Sequence, residues 1–263
     1  MIEYLRRIGL SELEARCYLT LHVDSPLSGY EVAKRVSVSR TNVYSALRSL
    51  VDKGGCRIID GHPTLYDAVP INQFIGLLKS EFEQTARVLS SKLKTSARHA
   101  PGFYSWKGSD PVNRAIRRLI VNATQLIVVD AWAEDLPPIE ETLLEAEAHG
   151  ITVVVVTLGE FRTPLKNIVQ HMAYDIPSDM PRKFSLLCDS HASIIANFGG
   201  DMNPSALETE HSGVADILKN AFYHDLIMHH IEADFGPELT ARYGHQYATL
   251  RKLYWEEKGW IIE

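Results

Sequence analysis

The chain holds 263 residues, enough for one large domain or for a small domain followed by a medium one. Hydrophobic residues at 45% and charged residues at 23% exclude a disordered chain. The net charge of −6 is unevenly divided, with 14 Lys/Arg against 10 Asp/Glu in residues 1–100 and 13 against 23 in residues 101–263. That contrast predicts two units with different partners, the basic one suited to phosphate backbones.

The apolar run Ile151–Leu158, centred on Val153–Val156, has the length of a buried strand. A membrane span needs roughly 20 apolar residues. The stretch Met1–Arg16 is charged throughout and lacks the apolar centre of a signal peptide. Cys17, Cys56 and Cys188 lie far apart without CxxC spacing, which argues against a disulfide framework or a zinc knuckle. The expectation is a soluble, cytoplasmic protein with no membrane partner, cofactor or metal.

Ser11 to Glu14 reads as a capping box, with apolar Leu13, Ala15, Cys17, Tyr18 and Leu21 continuing a helical face. Asp24-Ser25-Pro26 breaks it. Ser28 to Glu31 forms a second box, followed by Val32, Ala33 and Val36. After the tight turn Ser37-Val38-Ser39, a third helix runs from Arg40 to about Lys53, with Ser39 as N-cap. Val43, Leu47, Leu50 and Val51 form its buried stripe. Arg40, Thr41, Asn42, Tyr44, Ser45 and Arg48 fall on the opposite face. Beyond Gly54-Gly55 the period changes to two, and Cys56–Ile59 and Thr64–Val69 read as strands around a turn at Asp60–Pro63.

Three helices and a hairpin make a winged helix-turn-helix over residues 1–70. Its third helix is narrow enough for the DNA major groove and polar on its outer face. Arg40, Thr41, Asn42, Ser45 and Arg48 are the candidate DNA contacts, with Arg35 on phosphate and His62 at the wing tip. From Asn72 to about Arg98, Ile75, Leu78, Phe82, Thr85, Ala86, Leu89 and Leu93 follow helical three-four spacing. This stripe leaves two readings: pairing with a second copy as a coiled-coil dimerisation helix over 71–100, or packing on the chain's own C-terminal domain.

The runs Gly9–Ala15, Gly29–Lys34 and Ser39–Leu50, continued through Lys53-Gly54 to Tyr66–Pro70, resemble the TrmB family of transcription regulators in order and spacing. The resemblance covers roughly residues 5–95. It implies a winged helix on operator DNA, a coiled-coil helix and an effector-sensing domain.

In residues 101–263, strands are expected at Phe103–Trp106, Gln125–Asp130, Ile151–Leu158, Phe184–Leu187 and Ala192–Asn197. Helices are expected near Pro111–Val121, Ile139–His149, Val214–Ala233 and Glu238–Glu257. The alternation argues for an α/β domain with a mostly parallel sheet. The family resemblance implies a degenerate phospholipase-D-like fold. Its HxKxxxxD motif aligns only at His191, where Ser193 replaces the Lys and Phe198 the Asp, so no catalytic residue is carried over and the protein is not read as an enzyme.

Asp130, Trp132, Trp106 and Glu134 lie at or beyond strand C-terminal ends, where ligands bind in open α/β sheets. Asp130, Trp132 and His191 are the candidate effector-binding residues, for a sugar-like small molecule. Rim packing is the competing reading for the same residues. His224, Asp225, His229 and His230 share a helix and read either as metal ligands or as ordinary surface histidines. Cys188 beside Asp189 reads as a redox switch or as a buried thiol. The alternative to DNA binding is a winged helix that docks protein, with the acidic half as an assembly domain.

Overall fold

A computed structural model describes residues 1–93, 102–171, 181–200 and 202–260. The chain divides into two compact units, Met1–Ala97 and Arg98–Glu263. In the first unit the elements are α1 (Ile2–Arg7), α2 (Glu12–Val23), β1 (Leu27–Ser28), α3 (Gly29–Val36), α4 (Arg40–Asp52), β2 (Cys56–Ile59), β3 (Leu65–Ala68) and α5 (Ile71–Lys92).

Both capping boxes close. The Glu14 N–H donates to Ser11 Oγ at 3.2 Å while Glu14 Oε2 accepts the Ser11 N–H at 2.6 Å. Glu31 and Ser28 repeat the pattern at 3.3 and 2.8 Å and start α3. Ser39 occupies the N-cap of α4, but its side chain makes no capping bond. The turn between α3 and α4 passes through Ser37 in the left-handed region, φ 55°.

Val43, Leu47 and Leu50 of α4 are fully buried with Tyr18, Leu21, Val32 and Phe74. Strand β3 lies between β1 and β2, antiparallel to both, and closes the wing. The start of α5 belongs to this core: the Phe74 ring is 5.7 Å from that of Tyr18, whose hydroxyl donates to the Val69 carbonyl at 2.9 Å. Beyond Phe74 the helix emerges, and Ile75, Phe82 (74% exposed) and Leu89 stand open. Residues 94–100 of the expected linker helix lie outside the described residues.

The second unit carries β4 (Phe103–Lys107), α6 (Ser109–Asn122), β5 (Leu126–Trp132), α7 (Pro137–Ala148), β6 (Thr152–Leu158), β7 (Asn167–His171), β8 (Arg182–Cys188), β9 (Ala192–Phe198), β10 (Ser205–Thr209) and α8 (Ser212–Tyr243). One seven-stranded sheet runs in the order β4-β10-β9-β8-β5-β6-β7. Ile127, Val129 and Ala131 of β5 pack with Ile116, Ile120, Ile139 and Leu143 of α6 and α7. Val128 faces the other way, against Leu187 and against Ala215, Leu218 and Phe222 of α8.

The sheet corrects the expectation of mostly parallel pairing. Only β5–β6 and β6–β7 are parallel, and the other four pairings are antiparallel. An antiparallel pair can be joined by a tight hairpin, whereas a parallel pair must cross back along the length of the strand. The turn Asp189–His191 leaves room only for a hairpin between β8 and β9. Strands β7 and β10 were not foreseen, since neither Asn-Ile-Val-Gln-His nor Ser-Ala-Leu-Glu-Thr carries a strong apolar alternation. The two expected C-terminal helices are partly one: α8 continues past non-helical Phe235, with Pro237 just beyond, to Tyr243.

The Glu14 carboxylate joins the helical layer, its Oε2 lying 2.7 Å from Lys53 Nζ on the cap of α4. Burial pushes its pKa up, but bonds from Lys53, Ser49 and the Ser11 amide outweigh this and hold it below the ordinary 4.5. The folded value is below the unfolded one, so the contact stabilises fully above about pH 4.5 and is lost as the pH falls through the folded value. Glu14→Gln is expected to cost about 1 kcal/mol at pH 7, allowing for solvent at Lys53. Melting curves from pH 7 down to pH 3 should show a shallower acid limb in the variant.

Candidate nucleic-acid interface and C-terminal crevice

The buried stripe of α4 fixes which side chains reach solvent. Arg40, Thr41, Asn42, Tyr44, Ser45 and Arg48 are all exposed, as their spacing predicts. Two rings organise this face. The Arg40 guanidinium lies over the Tyr30 ring at 4.2 Å from the centroid, a cation–π contact that limits where the arginine can swing. The Tyr44 ring lies close over Gly29, where a Cβ would meet Tyr44 Cε1 at 2.5 Å, and stands edge-on to Tyr66 at 6.5 Å. Tyr30 was missed from the sequence, where it reads only as a residue inside a capping box.

The cations of this unit are not equivalent. Arg35 is tied to Asp24 at 2.7 Å and Arg57 to Asp67 at 2.6 Å, so both are partly neutralised. Arg40, Arg48 and Lys34 have no carboxylate partner among the described residues and remain available to an anion. His62 is exposed in the turn between β2 and β3. A strip of amide, hydroxyl and guanidinium groups on one helix can contact base edges and phosphates together.

In the second unit the three effector candidates are not brought together. Asp130 and Trp132 sit at the C-terminal end of β5. His191 follows Cys188, which pairs with Ile127 at the other end of that strand. The five residue steps from Ile127 to Trp132 span roughly 17 Å, so His191 leaves the set as a correction. The reason is the antiparallel β8, which runs the turn bearing His191 back to the start of β5. Its ring lies 2.9 Å from the Asp189 carbonyl, and the Asp189 carboxylate accepts the amides of Thr124, Gln125 and Leu126.

Asp130 is half-buried on the face covered by α8. Burial first, and Asp225 second, push its pKa up to about 6, against the opposing pull of Lys183. His171 and His229 lie nearby on the same side of the sheet and the facing helix, with ring centroids 5.5 Å apart. Trp106 belongs to the opposite face: its indole donates to Glu208 at 2.8 Å, and Arg118 lies over the ring. Glu134 pairs with Arg182 at 3.2 Å. His224, Asp225, His229 and His230 are spread around α8, and among the described residues no three His, Cys, Asp or Glu could hold a metal. Burial pushes the Cys188 thiol up to about 12, as suits a packed thiol rather than a reactive one.

The first unit thus defines a winged helix-turn-helix, the DNA-binding module of a transcription regulator, joined through α5 to a mixed-sheet α/β domain. The family model described as sugar-specific transcriptional regulator TrmB matches residues 5–72, and the N-terminal domain belongs to the TrmB family. The chain is 26% identical over 260 residues to the uncharacterized protein YrhO of Bacillus subtilis, covering 97% of this chain and 94% of that one. It is 35% identical over 174 residues to the HTH-type sugar sensing transcriptional regulator TrmBL1 of Pyrococcus furiosus, covering 64% of this chain and 50% of that protein. Among solved structures, the archaeal chromatin protein TrmBL2 superposes with a TM-score of 0.38 at 15% identity, over 87% of this chain and 97% of that one. Nuc of Salmonella typhimurium, a phospholipase D family member, gives 0.37 at 14% identity, over 48% and 93%. No described helix is long and apolar enough to cross a membrane.

Two outcomes follow from this geometry. Tyr30→Ala is expected to weaken DNA binding about as much as a lost cation–π contact allows, roughly threefold to thirtyfold, while Tyr30→Phe retains it. Fluorescence anisotropy on one duplex compares them. For Asp130 the folded pKa is raised, so the folded state holds the extra proton and stability falls as the pH rises from about 4 to about 6. Asp130→Asn should therefore melt higher than the parent at pH 7 and close to it at pH 4.

Proposed function

We propose that the protein is a homodimeric, sequence-specific DNA-binding transcription regulator that responds to a small molecule held by its C-terminal domain. The observation that carries this reading is the exposed polar strip of α4, whose apolar side is locked in the core. Arg40, Thr41, Asn42, Ser45 and Arg48 enter the major groove, with Asn42 and Ser45 on base edges and the arginines on guanine or phosphate. Arg35, shared with Asp24, supplies a weaker phosphate contact, and His62 lies on the wing side.

The open stripe of α5 supports dimerisation. Ile75, Phe82 and Leu89 repeat every seven residues and stay exposed on a helix that starts in the winged-helix core. A two-fold through α5 would set the distance between two α4 helices, and so the spacing of two operator half-sites.

The effector site lies around Asp130 and Trp132, beside Lys183, Asp225, His171 and His229. Carboxylates beside an aromatic ring suit a sugar or another polyol, in keeping with the sugar-related descriptions of the family and of TrmBL1. Binding there shifts the population between arrangements that favour or disfavour operator spacing. The protein acts by binding and not by catalysis. Ser193 and Phe198 stand where a phosphodiesterase needs a cation and a carboxylate, so a nucleophile at His191 would lack a charged clamp.

Selection from a random duplex pool supplies an operator, and a salt series then tests the mode of binding. Arg40→Ala is expected to lower affinity by about tenfold or more, and to reduce the slope of log K against log salt by about one if Arg40 meets phosphate. The variant should keep the parent's mass in solution. Failure to enrich any sequence, or binding insensitive to salt, would favour the protein-docking reading of the winged helix.

A further inference from the structure

The C-terminal domain holds a cavity of about 190 Å³ between its sheet and α8. Its floor is a single row across three adjacent strands: Val154 of β6, Val128 of β5 and Leu187 of β8. Its roof is Phe222 and Leu226, one turn apart on α8. Val128, Leu187 and Phe222 are buried. Polar groups enter from Ser190, Lys219 and the Tyr223 hydroxyl, on residues that reach solvent and so mark the mouth. Ser190 follows the end of β8, which places the mouth toward the start of β5. None of Asp130, Trp132, Lys183, Asp225, His171 and His229 lines this cavity.

Size and shape limit the occupant. Apolar cavities of about 150 Å³ accept a benzene ring. Three strands about 4.8 Å apart make the Val154–Val128–Leu187 row a flat floor about 10 Å across. A flat apolar floor under a Phe/Leu roof suits one planar ring and leaves no room for a second. A sugar does not fit, since its hydroxyls would meet no partner on that floor.

Charge then selects one end of the molecule. Lys219 is the only charged residue on the lining, with its stem among the apolar groups and its ammonium at the mouth. It is held 3.0 Å from Asp216, whose side chain is 67% exposed, so that pair is weak and easily exchanged. The Asp189 carboxylate beside Ser190 does not compete for the ammonium, because it already accepts the Thr124, Gln125 and Leu126 amides and the Thr124 hydroxyl.

We infer that this cavity is a second ligand site, which takes a single-ring aromatic carboxylate. The ring lies between Val128 and Phe222, and the carboxylate accepts from Lys219. The site is separate from the Asp130 crevice, and its existence does not depend on how the protein treats DNA.

Saturation-transfer NMR on the full chain without DNA tests this, with benzoate as the probe. Benzamide keeps the ring without the charge, and acetate keeps the charge without the ring. Benzoate is expected to bind with a dissociation constant on the order of 1 mM or below. Benzamide and acetate should each bind at least about tenfold more weakly. Lys219→Met keeps the packed stem and should bring benzoate down to the level of benzamide, while Lys219→Arg retains most of its binding. Leu226→Trp fills the cavity from the roof and should abolish binding. Leu226→Ala enlarges it and should admit 2-naphthoate, which the parent excludes. Melting curves matching the parent establish that each variant is folded.

No saturable benzoate binding by the folded parent would overturn the site. Equal binding of benzamide and benzoate would overturn the role of Lys219 and the acidic class of ligand. Undiminished benzoate binding in folded Leu226→Trp, with no gain of 2-naphthoate in Leu226→Ala, would place the ring elsewhere and overturn the assignment to this cavity.

Discussion

Val43, Ala46, Leu47 and Leu50 hold α4 against the core, and the rest of the N-terminal unit depends on that burial. A helix offers a limited circumference, so filling one side with fully buried side chains commits the other to solvent. Arg40, Thr41, Asn42, Ser45 and Arg48 are therefore displayed together on a rigid backbone. The two capping boxes and the left-handed Ser37 set the angle at which α3 delivers the chain into α4. Tyr18 and Phe74 carry the same rigidity onward, because the ring that anchors α5 sits in the core that anchors α4. Any force applied to α5 thus has a direct mechanical route to α4.

The C-terminal domain obeys a different constraint. Its sheet is covered on one face by α6 and α7 and partly on the other by a single long helix, α8. One helix must both shield the sheet and meet solvent, which accounts for its apolar inner stripe. It does not account for a second apolar stripe on the outer side. The same helix brings Asp225 and His229 over Asp130 and His171, gathering titratable groups at the C-terminal ends of the parallel strands. Asp130 holds a carboxyl where burial opposes its charge, which costs the fold stability near neutral pH.

Local chemistry made much of the N-terminal unit legible. Ser11 with Glu14 and Ser28 with Glu31 are closed by side chains three residues apart, and the α4 stripe repeats within one helix. Such features need no long-range information. The second unit was read less well for the same reason. The strands Asn167–His171 and Ser205–Thr209 are short and mixed in character, and their pairing is supplied by neighbours distant in sequence. Tyr30 was likewise missed, since its role depends on Arg40 crossing from the next helix.

By itself the sequence determined the helix starts, the winged helix-turn-helix and its outward-facing α4 residues, and the presence of an α/β domain. These are encoded by caps and periodicities within a few turns of chain. Only the tertiary structure decided that the sheet is largely antiparallel, that His191 lies at the far end of β5 from Trp132, and that Arg35 and Arg57 are partnered. Each of those depends on which distant strands and loops become neighbours, a quantity that local spacing does not contain.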